Sequence, residues 1–380
     1  MEIKIEHKNE AIISIYAIGE MDSSEDSIKL KQALEEAGTR EINITFFHAN
    51  FLDVKVVDIL AKLQENDRGK IFVLRRYLHS YLYSLGIQCR YIMKKSKIQT
   101  IGGNNKLTAQ EELNKEQVKG FLEEIFIVYG YDYTRYQIDS IMRRIKICML
   151  RAGITDFNAF RHSVLDKRES FEELFLDLSI NTTEFFRDPE VFEAFKTRII
   201  PYLKTYNHIR IWCAGCSNGK EPYSLAILLK EAGLLEKTQI YATDINHYII
   251  EDAKNGLFSI DTLEKDIKNY RLAGGSSNFI NYFKLNRSYM KIDTELQKNI
   301  LFFQHSLIGS GVLNEFQLIL CRNVLIYFNM DLQRAVLEYL YKSLDPNGFL
   351  ILGKSGGGLQ NGGNELFNKY DDVNKIYKYK

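Results

Sequence analysis

The sequence lacks a long apolar run, a surplus of either charge and an even set of cysteines, and each absence narrows the field. No stretch approaches the ~18 to 20 uninterrupted apolar residues of a membrane span, and the charged start MEIKIEHKNE has no signal-peptide core, so a cytoplasmic protein is expected. Lys+Arg 50 against Asp+Glu 49 leaves no basic field for gripping phosphate backbones, which argues against a general nucleic-acid binder. Any partner must be met by a local patch. Five cysteines, an odd number in a large chain, fit reduced thiols and not a disulfide framework. Cys213 and Cys216 form a CxxC, but no second pair or nearby histidine completes a tetrahedral zinc site, so both are read as small packed residues with no metal.

What is present divides into three parts, as 380 residues with 45% apolar content allow. Residues 1–93 alternate strand-like runs (Ile12 to Ile18, Ile42 to Phe47, Lys70 to Leu74) with helical spacing (Ser27 to Ala37, Asp53 to Gln64), which predicts a small α/β domain. Residues 94–112, polar and containing Gly102, Gly103, Asn104 and Asn105, read as a linker. Residues 113–195 are helical, with a basic cluster of Arg135, Arg143, Arg144, Lys146 and Arg151 that is either a solvated face or a docking surface for an acidic partner. From residue 196 to 380 the pattern becomes strand, glycine-rich loop, helix, strand. The apolar runs Ile209 to Trp212, Gln239 to Thr243, Phe316 to Cys321 and Phe349 to Leu352 suit buried parallel strands of a doubly wound sheet. Asp345 to Gly348 is a turn signal, and Lys375 to Tyr379 reads as a last, antiparallel strand.

The chemistry concentrates at the ends of these strands. In Ile209 to Leu229 a strand runs into Ala214, Gly215 and Gly219, with Pro222 where a helix begins, so a ligand can approach the backbone closely. The spacing is not GxGxxG, and Glu221 at the helix start would repel a phosphate and attract an amine or sulfonium. A nicotinamide dinucleotide, which sheet topology alone would permit, is thereby disfavoured. Asp244, ending the next strand, is placed to accept hydrogen bonds from both ribose hydroxyls of an adenosine; by itself it would pass for a helix cap. Arg322 and Asn323 end another apolar strand abruptly and need polar partners, which a ligand can supply. Upstream, SINTTEFFRDPE crowds Asn181, Thr183 and Arg187 around two phenylalanines, with Asp188 as helix cap and Pro189 as first helical residue. An arginine among polar groups at a domain junction is a common grip for a carboxylate.

SINTTEFFRDP, CAGCSNGKEPYSLA, ATDI and CRNVLIYF, in this order, resemble the CheR family of chemotaxis protein-glutamate O-methyltransferases over about residues 114–380. The resemblance implies a helical domain followed by a methyltransferase-type α/β domain with a small β insertion near 257–300. It implies S-adenosylmethionine as cofactor, held by Asn181, Thr183, Arg187, Glu221, Asp244, Arg322 and Asn323, with Ser306 and Leu307 where the family often has Asn and Leu. It implies methyl transfer to glutamates of a chemotaxis-receptor-like acidic helical protein, with Arg187 the candidate to guide the substrate. No dedicated general base is required, because a carboxylate already attacks a sulfonium methyl and catalysis comes from alignment and loss of water. Two departures stand out: Gly353, Lys354, Ser355 and Gly356 replace the family's GHSE, and Lys220 replaces a frequent acidic residue beside Glu221. They motivate an alternative, a signalling module that keeps the cofactor pocket and has weakened turnover. The first domain more distantly resembles a STAS domain through GEMDSSEDSIKLKQAL and FLDVKVVDIL, but Val54 and Lys55 follow Asp53 where a phosphorylatable residue would stand. A dimerising or partner-binding role is the expectation there.

Overall fold

The computed structural model describes residues 2–7, 12–18, 24–47, 49, 52–73, 76–91, 113–179, 183–286, 289–309, 313, 315–354, 359 and 363–380. The predicted linker 94–112 and the residues Asn181, Ser355 and Gly356 lie outside that set. The chain divides into two compact units: residues 1–106 with 257–263 and 285–291, and residues 107–256 with 264–284 and 292–380. The helical stretch and the methyltransferase-type sheet therefore fall in one unit.

In the first unit, β1 (Glu2–His7) and β2 (Ile12–Ile18) form an antiparallel pair. Then α1 (Ser24–Ala37), β3 (Glu41–Phe47), α2 (Val54–Glu65), β4 (Gly69–Val73), α3 (Arg76–Ser84) and β5 (Cys89–Tyr91) follow. The five strands line up in chain order, parallel from β2 onward. Alternation explains the packing: Ile13, Ile15 and Ala17 of β2 and Ile42, Ile44 and Phe46 of β3 are buried. Val56, Val57 and Leu60 of α2 are buried as well. Asp53 caps α2, its carboxylate accepting from the Lys55 amide at 2.8 Å.

The second unit opens with α4 (Lys115–Tyr129), α5 (Ile138–Ala152), α6 (Phe157–Asp166) and α7 (Arg168–Leu178). Val118, Phe121, Leu122 and Ile125 of α4 form its buried stripe, and Gly130 ends it at φ +78°. In the basic cluster, Arg151 pairs with Asp177 at 2.7 Å and Arg144 donates to the Asp177 carbonyl, so part of it is structural. The short helices α8 (Pro189–Ala194) and α9 (Ile200–Leu203) lead into β6 (Ile209–Ala214), α10 (Lys220–Glu231), β7 (Thr238–Asp244) and α11 (His247–Asn255). In chain order there follow β8 (Leu257–Ser259), α12 (Leu263–Leu272), β9 (Phe283–Leu285) and β10 (Tyr289–Ile292), of which residues 257–263 and 285–291 belong to the first unit, and then α13 (Thr294–Gln297), β11 (Ile300–Gln304), β12 (Phe316–Cys321) and α14 (Met330–Ser343). The chain ends with β13 (Leu344–Leu352), β14 (Phe367–Asp371) and β15 (Ile376–Tyr379). Strands β8, β10 and β9 make a separate three-stranded sheet.

The large sheet runs β11-β7-β6-β12-β13-β15-β14. Its first five strands are parallel, and β15 is antiparallel to both neighbours. Asp345 to Gly348 does not precede β13 as a turn; it bulges out of it, the register on β12 jumping from Leu344 to Phe349. Because β6 has β7 on one side and β12 on the other, chain direction across the sheet reverses there. That switch opens a crevice at the carboxyl ends of β6, β7 and β12. No helix among the described residues is long and apolar enough to cross a membrane.

Candidate functional site

At the switch point β6 hands over to a loop that must turn sharply. Gly215 sits at φ +82°, and a β-carbon there would lie 2.3 Å from Cγ2 of Val324, so only glycine permits this approach. The amides of Gly215 and Cys216 both donate to the Thr243 carbonyl at 2.8 Å, which ties the loop to the end of β7. The loop's Ser217 amide donates to Asp244 Oδ2 and the Asn246 amide to Oδ1, each at 3.0 Å. Asp244 is thus fixed by backbone, with lone pairs left over for a ligand. Burial pushes its carboxyl above the ordinary value, against the opposing pull of the amides of Asn246, Ser217 and Ile245.

A second anchor is built around Arg322. Its side chain is 1% exposed; Nη1 meets Glu221 Oε2 at 2.7 Å, while Nη2 donates to Asp188 Oδ2 at 2.8 Å and to the Arg187 carbonyl at 2.6 Å. The partners that Arg322 needs are therefore protein groups. Asp188 does not cap α8 with its side chain, as the sequence suggested: it sits at φ +54° and its carboxylate is turned to Arg322. Burial raises the proton affinity of Glu221, and the Arg322 cation opposes this. The helix carrying Glu221 begins at Lys220, two residues before Pro222. Lys220 itself is buried and directed at Asp266 at 3.7 Å with Phe185 beneath its ammonium, so its charge is answered away from the cleft. Lys354 pairs with Glu190.

Four non-glycine residues with positive φ gather here, Phe186, Asp188, Ser217 and Asn323. Backbone strain of about 1–3 kcal/mol at each such position persists only where the surroundings over-determine it, and it clusters at functional sites. Gly353 is part of that support, since a β-carbon on it would lie 2.6 Å from the Asn323 amide.

Thr183, Arg187, Glu221, Asp244, Ser306, Leu307, Arg322 and Asn323 all line one open cleft, about 1030 Å³ when the solvent at its mouth is included. Of the sequence candidates only Asn181 is missing, and it lies outside the described residues. Ser306 uses its hydroxyl to accept from the Ile308 amide at 3.1 Å. Sequence reasoning missed Tyr133, Tyr136, His305, Tyr327 and Phe328, which also wall the cleft. Burial lowers the His305 pKa and raises that of Tyr327, the latter opposed by the charges of Arg144 and Arg187. The aromatic run YDYTRY and the LIYF that follows Asn323 were the available signals. With an acid at β7 and another at α10, the cleft suits a ligand bearing hydroxyls at one part and a cation at another.

Comparison with known proteins agrees with this geometry. Residues 181–371 match the family described as CheR methyltransferase, SAM binding domain. A Pseudomonas putida protein, Cher3, whose name describes it as a methyltransferase, is 42% identical over 237 residues, spanning 62% of this chain and 87% of that one. Chemotaxis protein methyltransferase 1 of Pseudomonas aeruginosa is 29% identical over 255 residues, spanning 63% and 88%. The chain belongs to the CheR methyltransferase family and carries its S-adenosylmethionine-binding domain.

Proposed function

We propose that this CheR-family methyltransferase transfers a methyl group to glutamate carboxylates of a chemotaxis-receptor-like acidic helical protein. The single observation that carries the reading is that Glu221 and Asp244, two carboxylates at different strand ends, wall the same cleft. The cofactor fits that donor set. Asp244, its backbone bonds already made, accepts from ribose hydroxyls, and Glu221 accepts from the amino-acid ammonium while Arg322 favours its ionised form. Thr183, Ser306 and Asn323 add polar wall, Leu307 adds apolar wall, and Arg187 is the cation that meets an incoming carboxylate. S-adenosylmethionine, when bound, supplies an electrophilic sulfonium methyl. With an ionised carboxylate as the acceptor, the residues of the cleft would need to move no proton. The chain's own contribution is alignment and exclusion of water. Relatives named as chemotaxis protein methyltransferases support the choice of receptor glutamates.

The test is transfer of labelled methyl, from labelled cofactor and purified protein, to receptor-containing membranes as a base-labile ester. Asp244→Ala should abolish it. Absence of transfer to any membrane fraction from the same cell would sink the substrate assignment.

One observation favours a second reading, a module with weakened turnover: Lys354, where the family has histidine, is engaged with Glu190. Restoring the family residues by Lys354→His with Gly356→Glu should then raise turnover, and equal rates in both proteins would remove this reading. For residues 1–93 the hairpin followed by parallel strands in chain order supports a STAS-like partner-binding or dimerising domain. Sedimentation of the full chain, with and without residues 1–112, tests the dimer.

A further inference from the structure

The segment between α4 and α5, residues 130–137, belongs to the helical stretch and lies outside the residues matched by the family's cofactor domain. It is nevertheless fastened to the rim of the cleft. The Gln137 amide donates to the Tyr327 carbonyl at 2.8 Å, the Asn329 amide to the Arg135 carbonyl at 2.9 Å, and Tyr136 and Phe328 form an isolated antiparallel bridge. At its other end Gln304, the last residue of β11, donates to the Tyr131 hydroxyl at 3.2 Å. Two sides of the crevice are thereby spanned by one short segment.

Tyr136 is the residue this strap delivers to the cleft wall. Its ring is held edge-on between Phe328, at 5.0 Å, and Tyr133, at 5.1 Å, so it has little freedom to swing away. The hydroxyl makes no hydrogen bond among the described residues. Tyr136 and Asp244 wall the same cleft, and burial first, then the negative charge of Asp244, raises the proton affinity of the phenol. A phenol that keeps its proton at neutral pH is a donor. Asp244, ionised, is only an acceptor. The two are complementary towards a sugar hydroxyl, which gives its proton to the carboxylate and still has oxygen lone pairs to be satisfied.

We infer that Tyr136 is a cofactor-binding residue contributed by the helical stretch, its hydroxyl donating to a ribose hydroxyl whose proton Asp244 accepts. The inference rests on the reading of this cleft as the S-adenosylmethionine site.

The test is calorimetric titration of the full chain and of Tyr136→Phe with S-adenosylhomocysteine and with its 2′-deoxy and 3′-deoxy analogues. The expected result is a ~3- to 10-fold weaker affinity of Tyr136→Phe for the complete ligand, the size of one neutral hydrogen bond, with an unchanged melting temperature of the free protein. On one of the deoxy analogues the two proteins should bind alike. Equal affinity of both proteins for the complete ligand, or the same loss on all three ligands, overturns the assignment of Tyr136 and leaves the cofactor site standing. Failure of the unaltered chain to bind S-adenosylhomocysteine overturns both.

Discussion

Glu221→Gln separates a ligand anchor from a structural acid, because the two roles predict losses on different ligands. Glu221 sits in the first turn of α10, walls the cleft and holds Arg322 at 2.7 Å. If it also accepts from the ligand ammonium, the neutral amide forfeits a charge-assisted hydrogen bond, about 1.5–3 kcal/mol, which is roughly a 10- to 150-fold weaker complex. Arg322 keeps Asp188 and the Arg187 carbonyl after the substitution, so the cation is not stranded and the fold should survive. The assay is calorimetric titration with two ligands sharing one nucleoside: S-adenosylhomocysteine, with its amino-acid tail, and 5′-methylthioadenosine, without it. The substitution should cost the first ligand the full factor and leave the second within about 2-fold, since no bond to the amide is lost. Equal losses on both would mean that Glu221 only shapes the pocket through Arg322. No loss on either would place the ammonium elsewhere.

Three further outcomes follow from the same geometry. Arg322→Met strands Glu221 and Asp188 without their cation and should cost about 3–5 kcal/mol in urea unfolding; adding Glu221→Gln should recover part of it, and strictly additive losses would deny the coupling. Gly215→Ala must strain a residue at φ +82° by about 1–2 kcal/mol and push against Val324, so melting temperature and S-adenosylhomocysteine affinity should both fall, with partial rescue by Val324→Ala. An unaffected Gly215→Ala protein would contradict the loop geometry. The raised carboxyls of Asp244 and Glu221 set a pH dependence. Their folded values exceed the unfolded ones, so the stability they lend the free protein is complete below the unfolded value and lost as pH rises through the folded one. Ligand binding needs both ionised, so affinity should fall as pH drops through the same window, with protons released on binding there; titration in buffers of different ionisation enthalpy measures this, and pH-independent binding would refute it.

What could be read from the sequence, and what could not, divides along the range of the interactions. Asp244, Glu221, Arg322 and Asn323 were legible because each is a polar residue at the end of an apolar strand or the start of a helix, a local pattern with one physical meaning in a parallel sheet. The edge strands β1, β5, β11 and β14 were not seen. Their faces are partly or largely exposed, as with Leu301 of β11 at 47%; β1 and β14 are broken by charged or polar residues, while β11 keeps a short apolar run, Ile300 to Phe303, at the border of the expected insertion 257–300. The capping role expected of Asp188 failed for the opposite reason. Its partner Arg322 lies 134 residues away, and that contact, with the left-handed backbone it accompanies, outweighs the local preference of an aspartate before a proline. Lys220 tells the same story: read locally it adds charge beside Glu221, yet Asp266 of α12 draws it to the other side of the helix. The aromatic run YDYTRY that holds Tyr133 and Tyr136 is a weak sign of a site, because an aromatic pair between two helices is ordinarily core. Only the closure of residues 130–137 onto Tyr327 and Asn329 turns that pair towards the crevice. The strand ends thus write the site's charges into the sequence, while its roof and the neutralisation of those charges depend on pairings that sequence spacing does not encode.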